Sequence, residues 1–296
     1  PANIYEHCCQ AIDFSLAHLS PRGLPLIGGG DWNDGMNAVG VEGKGESIWL
    51  AQFLCGILKE FAVVAEKRND TERKAKYLQK AERLKTLINT YCWDGDWYIR
   101  AVCDNGDTLG SKNSPEGKIF LNPQSWAILN DIAPPDRAEK LFHAMETYLF
   151  REYGPILFYP AYKTPQINIG YLSRYAPGLR ENGGVYTHAA TWGIFAACKL
   201  GKKKQAYAAY KNILPPYRGL NPDLYKAEPY VTPGNVDGPD SPHFGRGGFT
   251  WYTGSSTWSF LVAMEGICGI IPDWDGLLIN PQVPDEWTEF SVTRPY

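Results

Sequence analysis

Two helical stretches lie nearly end to end between Glu46 and Tyr91, and they constrain the fold more than any other feature. Residues 46–67, ESIWLAQFLCGILKEFAVVAEK, are strongly apolar at helical spacing, and residues 71–91 are amphipathic with a charged face. Helices of this kind must bury their apolar faces against other elements. The pattern recurs at residues 4–19, closed by Pro21-Arg22-Gly23, and at 123–130 and 135–149, the last opening on a proline. It recurs again as a pair at 187–199 and 203–214, and at 255–266. Strand-like runs are few: DGDWYIR at 94–100 reads as a hairpin or short strand, and LLINP and EFSVTRPY at the end read as strands with proline breaks. The expected fold is therefore all-α, a bundle, solenoid or toroid of paired helices with short C-terminal strands. No fixed-period repeat is visible, which counts against the solenoid.

The 296 residues allow one large domain or two ordinary ones. A net charge of -3 without a basic run gives no support for nucleic-acid binding. Aromatic residues make up 14 %, with 10 Trp and 18 Tyr, enough to line either a large core or a surface for flat apolar faces such as sugar rings. The seven cysteines (Cys8, Cys9, Cys55, Cys92, Cys103, Cys198, Cys268) include no CxxC. That spacing suits neither a disulfide framework nor a zinc site and predicts a reducing, cytoplasmic setting. No apolar run is read as approaching 18 residues, so no membrane span is expected.

Three loops carry chemistry. The first is GGGDWNDGMNAVG from Gly28 to Gly40, with Asp31, Trp32, Asn33 and Asp34 at its centre. A calcium loop counted from Asp31 fails, because position 5 is Gly35 and position 6 is Met36. Turn chemistry explains one aspartate but not the tryptophan. An indole beside a carboxyl group can desolvate it and favour its protonated form, which is what glycosidic cleavage needs of an acid. The second loop, Arg180-Glu181-Asn182-Gly183-Gly184, leads to His188 at a helix start, where backbone N–H groups can seat an anion. The third runs from Gly245 through Arg246 to Thr253, Gly254 and Ser255, and just upstream of it residues 235–240, Asn-Val-Asp-Gly-Pro-Asp, read as turn. It is neither GxGxxG nor a Walker loop, yet its glycines, hydroxyls and arginine also suit phosphate.

One strong acid candidate and two anion seats lean towards phosphorolysis. A hydrolase needs a second carboxylate to activate water, whereas phosphate is already a nucleophile. An inverting hydrolase and a non-catalytic carbohydrate-binding fragment remain open alternatives.

Taken in order, Gly30-Asp31-Trp32-Asn33-Asp34-Gly35, Gly43-Lys44-Gly45-Glu46-Ser47, Arg180-Glu181-Asn182-Gly183-Gly184 with His188, and Thr253-Gly254-Ser255 resemble glycoside hydrolase family 94 over nearly the whole chain. The resemblance implies an (α/α)6 toroid, with residues 1–270 as its later part and 271–296 as the start of a closing β-strand region. It implies inverting phosphorolysis of a β-linked gluco-disaccharide or oligosaccharide to α-glucose 1-phosphate, with cellobionic acid or cellobiose favoured and β-1,2-glucan next. By the same resemblance Asp34 is the general acid, Trp32, Glu181 and Arg180 contact sugar, and His188, Thr253 and Gly254 hold phosphate. Arg246 is placed near the site, and Arg174, Arg180 and Lys163 are candidate cations for an acidic acceptor. No metal or cofactor is implied beyond phosphate as co-substrate, and a homodimer is expected. In the family, further arginine and aspartate groups of the donor-sugar site precede the DWND motif. With that motif starting at Asp31, the chain alone is expected to be inactive or weakly active.

Overall fold

The computed structural model describes residues 2–293. They fall into two compact units. One runs to Leu141 and includes Thr164–Arg174; the other takes Phe142–Lys163 and the described residues from Tyr175 onward.

In the first unit, α1 (Ile4–Ala17) starts at a capping box in which Asn3 and Glu6 satisfy each other's backbone N–H groups. The long pair follows as α2 (Ile48–Lys67) and α3 (Thr71–Tyr91). Asn69, in the left-handed region at φ 59°, turns the chain between them. Ile48, Ala51, Cys55, Leu58, Ala62 and Ala65 of α2 and Tyr77, Ala81, Leu84 and Ile88 of α3 are buried, and the two helices pack along each other. α4 (Leu121–Leu129) also packs on α2. There Asn130 Nδ2 donates to the Gln52 carbonyl (2.8 Å) and Lys59 Nζ to the Asn130 carbonyl (2.7 Å).

Two readings of this region change. Glu46 and Ser47 are not helix: they pair antiparallel with Ala101–Val102, which pairs in turn with Thr108–Leu109. Ser47 then caps α2, its Oγ accepting from Leu50 N. And α2, at 20 residues and mean hydropathy 1.7, is long and apolar enough by composition to cross a membrane, although its most apolar window is 56 % buried inside the protein. Gln52, Lys59 and Glu60 interrupt the apolar run without lowering its average below that of a span. The expected hairpin at 94–100 is present as an antiparallel bridge between Trp93 and Tyr98, turned at Gly95 with φ 92°.

α5 (Pro135–Tyr148) carries the chain into the second unit. There α6 (Thr187–Lys199) is buried almost all round and packs on α7 (Lys203–Ile213). The short helices α8 (Pro215–Arg218) and α9 (Pro222–Tyr225) follow. A three-stranded antiparallel sheet has Asn235–Val236 at its centre, between Val185–Tyr186 and Gly247–Gly248. Asn235 and Val236 are thus strand, where turn was expected.

The last helix, α10 (Ser255–Leu261), does not run on to Gly266 as α-helix; Val262–Ile267 is a π-helical turn. Ile270–Asp273 and Gly276–Ile279 then form an antiparallel hairpin. The strand expected over EFSVTRPY is absent from residues 289–293, and its last three residues lie outside the described ones. Trp287 packs edge-on against Tyr207 of α7 (5.3 Å) and tilts against Phe290 (6.5 Å), so these aromatics cover a helix instead of lining a sheet.

Candidate functional site

The DWND loop belongs to the first unit. Its glycines and aspartates do different things. Asp31 is the anchor: Arg100 Nη1 and Nη2 each donate to one of its carboxylate oxygens at 2.7 Å, Ser47 Oγ donates at 2.6 Å, and the Asn33 backbone N–H at 2.9 Å. The Asp31 side chain is 0 % exposed and that of Arg100 is 1 % exposed. Burial opposes the charge on Asp31, but the guanidinium beside it and the hydrogen bonds from Arg100, Ser47 and Asn33 outweigh that, holding the carboxyl below its ordinary range. Gly45, at the far side of the loop, is fixed by Asp104, whose carboxylate accepts from the backbone N–H groups of Glu42, Lys44 and Gly45 at 2.7–2.9 Å.

Asn33 is buried, and its side chain accepts from Gly35 N, opening the 3-10 turn Asp34–Met36. That turn presents Asp34 as an exposed carboxyl, while Gly35 and Met36 are buried behind it. Gly35 admits no side chain, because a Cβ there would come within 2.8 Å of Leu172. Trp32 is half-buried, and its ring tilts against Trp49 of α2 at 6.5 Å, in a cluster with Phe53 and Trp126. The indole is thus supported from α2, with Asp31 and Asp34 on either side of it in the chain.

The remaining candidates belong to the second unit. Arg180, at φ 51°, is half-buried between two rings, with its guanidinium carbon 4.2 Å from the Phe249 centroid and 4.8 Å from that of Tyr175. Its Nε lies 3.3 Å from Glu181 Oε2, and Glu181 is buried. Asn182, unassigned from sequence, clamps the loop. It is fully buried, its Nδ2 donates to the Tyr162 and Tyr175 carbonyls (2.9 and 2.7 Å), and its Oδ1 accepts from Tyr162 N (2.8 Å).

His188 sits in the first turn of α6, half-buried, with its ring 4.9 Å from Trp192 and 6.2 Å from Trp258 of α10. Burial pushes its imidazole below the ordinary value, favouring the neutral ring. Beside it, Thr187 Oγ1 is buried and finds no hydrogen-bond partner among the described residues. Gly254 caps α10, and the Thr253 hydroxyl hydrogen-bonds to Ser255 Oγ and accepts from Ser255 N. Because α10 packs on α6, His188 and the Thr253-Gly254 pair belong to one pair of contacting helices. Gly254 has φ -85° and nothing within 4 Å of where a Cβ would stand, so neither backbone nor packing requires glycine there.

Arg246 lines a cavity of about 390 Å³ in the same unit, together with Asp237, His243, Leu179 and Phe249. Asp237 is buried and receives the Ser241 hydroxyl at 2.9 Å. Its desolvation raises the carboxyl above the usual range, against the opposing pull of Ser241, Arg246 and His243. Sequence reading had no signal for Asp237, which looked like turn chemistry. Lys163 and Arg174 are exposed and belong to different units.

Comparison with known proteins bears on these motifs. The model of the glycosyl hydrolase 94 superfamily catalytic domain matches residues 1–269. The chain is 40 % identical over 295 residues to the cyclic beta-(1,2)-glucan synthase NdvB of Rhizobium meliloti, covering 98 % of this chain and 10 % of that protein. It is 36 % identical to the solabiose phosphorylase of Paenibacillus borealis and 33 % to the cellobionic acid phosphorylase of Neurospora crassa, in each case over 99 % of this chain and 38 % of the relative. The chain therefore spans well under half the length of these relatives. Among solved structures, the GH78 family rhamnosidase of Bacillus sp. GL1 shares the fold at a TM-score of 0.58 and 15 % identity, over 90 % of this chain and 24 % of that one. On the match over residues 1–269, the chain belongs to the glycosyl hydrolase 94 superfamily.

Proposed function

We propose that this chain carries out inverting phosphorolysis of a β-linked gluco-disaccharide or oligosaccharide, releasing α-glucose 1-phosphate and a sugar shortened by one residue. Phosphate attacks the anomeric carbon from the face opposite the leaving group. As the new C–O bond to phosphate forms, the glycosidic C–O bond breaks and Asp34 gives its proton to the departing oxygen. One displacement inverts the configuration, and no carboxylate is needed to activate a nucleophile. Trp32 supports the donor sugar, Glu181 and Arg180 contact the acceptor, and His188, Thr253 and Gly254 hold phosphate.

The observation that carries this reading is the polar seat on α6 and α10. The half-buried His188 imidazole, an unpartnered buried hydroxyl at Thr187 and a sterically unneeded glycine at Gly254 occur on contacting helices. Those are features an oxyanion would use and a packed core would not. The names of the relatives support the same reaction class. The 40 % identity to a β-1,2-glucan synthase favours a β-1,2 linkage as the second substrate reading, beside cellobionic acid and cellobiose. In this reading the helix pairs belong to an (α/α)6 toroid, residues 271–296 begin a β region, and the working protein is a cytoplasmic homodimer.

The test is to incubate the chain, alone and within any longer polypeptide that carries it, with cellobiose, cellobionic acid and β-1,2-glucobiose, with and without phosphate. Phosphate-dependent α-glucose 1-phosphate, lost in Asp34→Asn, is the expected result and names the acceptor. Free glucose without any sugar phosphate would replace this reading with hydrolysis.

A further inference from the structure

The second unit displays a group of aromatic side chains that its core does not use. Tyr230 is 74 % exposed, Trp251 73 % and Tyr252 82 %, with Phe249 half-covered beside them. Single exposed aromatics are ordinary. These are held in place. The Trp251 indole N–H donates to Glu228 Oε1 at 3.0 Å, and the Tyr230 ring meets the indole edge-on at 6.4 Å and 67°. Phe249 lies under the Arg180 guanidinium at 4.2 Å. Its carbonyl accepts from Gly234 N at 3.1 Å.

The backbone beneath them is unusual. Phe249 and Trp251 both sit in the left-handed region, at φ 53° and 66°, where a residue with a Cβ is disfavoured and glycine would be at ease. Two bulky aromatics in that conformation, one residue apart, indicate that the position of the rings matters more than local comfort. Alternating conformation across Phe249, Thr250 and Trp251 turns Phe249 towards Arg180 and lets Trp251 project into solvent.

We infer that Trp251 and Tyr230 form a stacking shelf for a glucosyl ring of a β-linked glucan chain. The inference rests on the reading of the chain as a glucoside phosphorylase and narrows its substrate to oligosaccharides. A β-glucopyranose has only equatorial ring substituents, so both its faces present C–H groups that suit an indole. The shelf lies near the proposed sugar and phosphate residues in the chain: Phe249, two residues before Trp251, meets Arg180 in a cation–π contact, and Thr253 follows Trp251 by two residues. A chain that reaches Glu181 thus has an aromatic surface along which to continue, and a sugar with only two rings leaves it unused.

The test separates binding from turnover. The chain is titrated, without phosphate, with β-1,2- and β-1,4-linked gluco-oligosaccharides of two to five residues, following tryptophan fluorescence and heat. Affinity should rise with length in at least one series. Trp251→Ala and Tyr230→Ala should each remove that rise, weakening the pentasaccharide by roughly 5-fold. Trp274→Ala, an exposed tryptophan on the C-terminal hairpin, should keep it. Trp251→Gly relaxes the left-handed backbone and removes the ring, so it must lose the rise with length whether or not the alanine variant folds. Equal affinity for all lengths, or a pentasaccharide affinity untouched by Trp251→Gly, overturns the shelf. So does a dimer that dissociates in Trp251→Gly with sugar binding intact, which would make the patch a contact between copies. Length-dependent binding, with no α-glucose 1-phosphate formed in the separate phosphate-containing assay by the chain alone or within a longer polypeptide, would uphold the shelf and overturn phosphorolysis; turnover without length dependence would do the reverse.

Discussion

Arg100 and Asp31 meet as a sealed, two-pronged ion pair, with both contacts at 2.7 Å. The pair ties the start of the DWND loop to the residue just before the Ala101–Val102 strand, and Ser47 Oγ joins it from the cap of α2. Through Asp31 it therefore fixes the origin of the turn that carries Asp34. Removing one partner leaves the other charged and buried. Asp31→Asn or Arg100→Met should each cost about 3–5 kcal/mol in a urea melt. Arg100→Lys should restore only part of this, because an ammonium cannot bridge both oxygens. The double variant should cost less than the sum of the two single ones. Additive losses would show that the two residues do not act as a unit.

The same carboxylate sets a response to acid. Asp31 and Asp104 both have folded-state pKa values below their ordinary ones, in each case against the pull of burial: Arg100 lowers Asp31, and three backbone N–H groups lower Asp104. The unfolded chain takes up these protons first, near pH 4. Their stabilisation is complete above that pH and is lost as the pH falls towards the folded values. Urea midpoints should hold steady from pH 7 to about pH 5 and then drop through pH 4 and 3. In Asp104→Asn the acid drop should be shallower than in the parent. A midpoint that rises on acidification contradicts the assignment.

How much of this was legible beforehand depends on range. α3 and α6 follow from apolar spacing and start and stop where the sequence indicates, because a helix is a local object. The start of α2 was misplaced because the strand at Glu46–Ser47 is made by a partner at Ala101–Val102. The break in α10 at Val262 has no local marker in the sequence. The DWND motif stood out at once, but the division of labour inside it did not. Asp31 is bound by an arginine 69 residues away, and nothing in the spacing of Asp31 and Asp34 says which is buried. Asn182 lay inside a recognised motif, and only the Tyr162 contact 20 residues upstream gives it a structural task. Asp237 read as turn because its desolvation comes from the folded loop around it.

Gly254 offers a substitution that separates folding from function. Its φ of -85° suits any residue, and a Cβ would meet no atom within 4 Å. Gly254→Ala should leave the melt unchanged or raise stability by about 0.5 kcal/mol, through a less disordered unfolded chain. If phosphate is drawn against this backbone, the added methyl group obstructs it. The phosphate KM should rise about tenfold, equivalent to about 1.4 kcal/mol, with the sugar KM little changed. An unaltered phosphate KM would remove Gly254 from the phosphate seat.

Asp31 and Asp34 are three positions apart, and the structure predicts opposite consequences for the same substitution. Asp34 is exposed on a short 3-10 turn and Asp31 is wholly buried. Asp34→Asn keeps the shape and volume of the side chain and removes only its acidity. The melt should stay within about 0.5 kcal/mol of the parent, as for a surface change. Turnover should fall on the order of 10²- to 10⁴-fold, the usual worth of a positioned general acid. Substrates whose leaving group needs no proton should recover most of that rate, since the acid serves only the departing oxygen. Asp31→Asn should instead lose stability first, and its residual turnover should show no such recovery with an activated leaving group. Equal melts and equal rates for the two variants would mean that the exposed carboxyl is not the acid and the buried one is not the anchor.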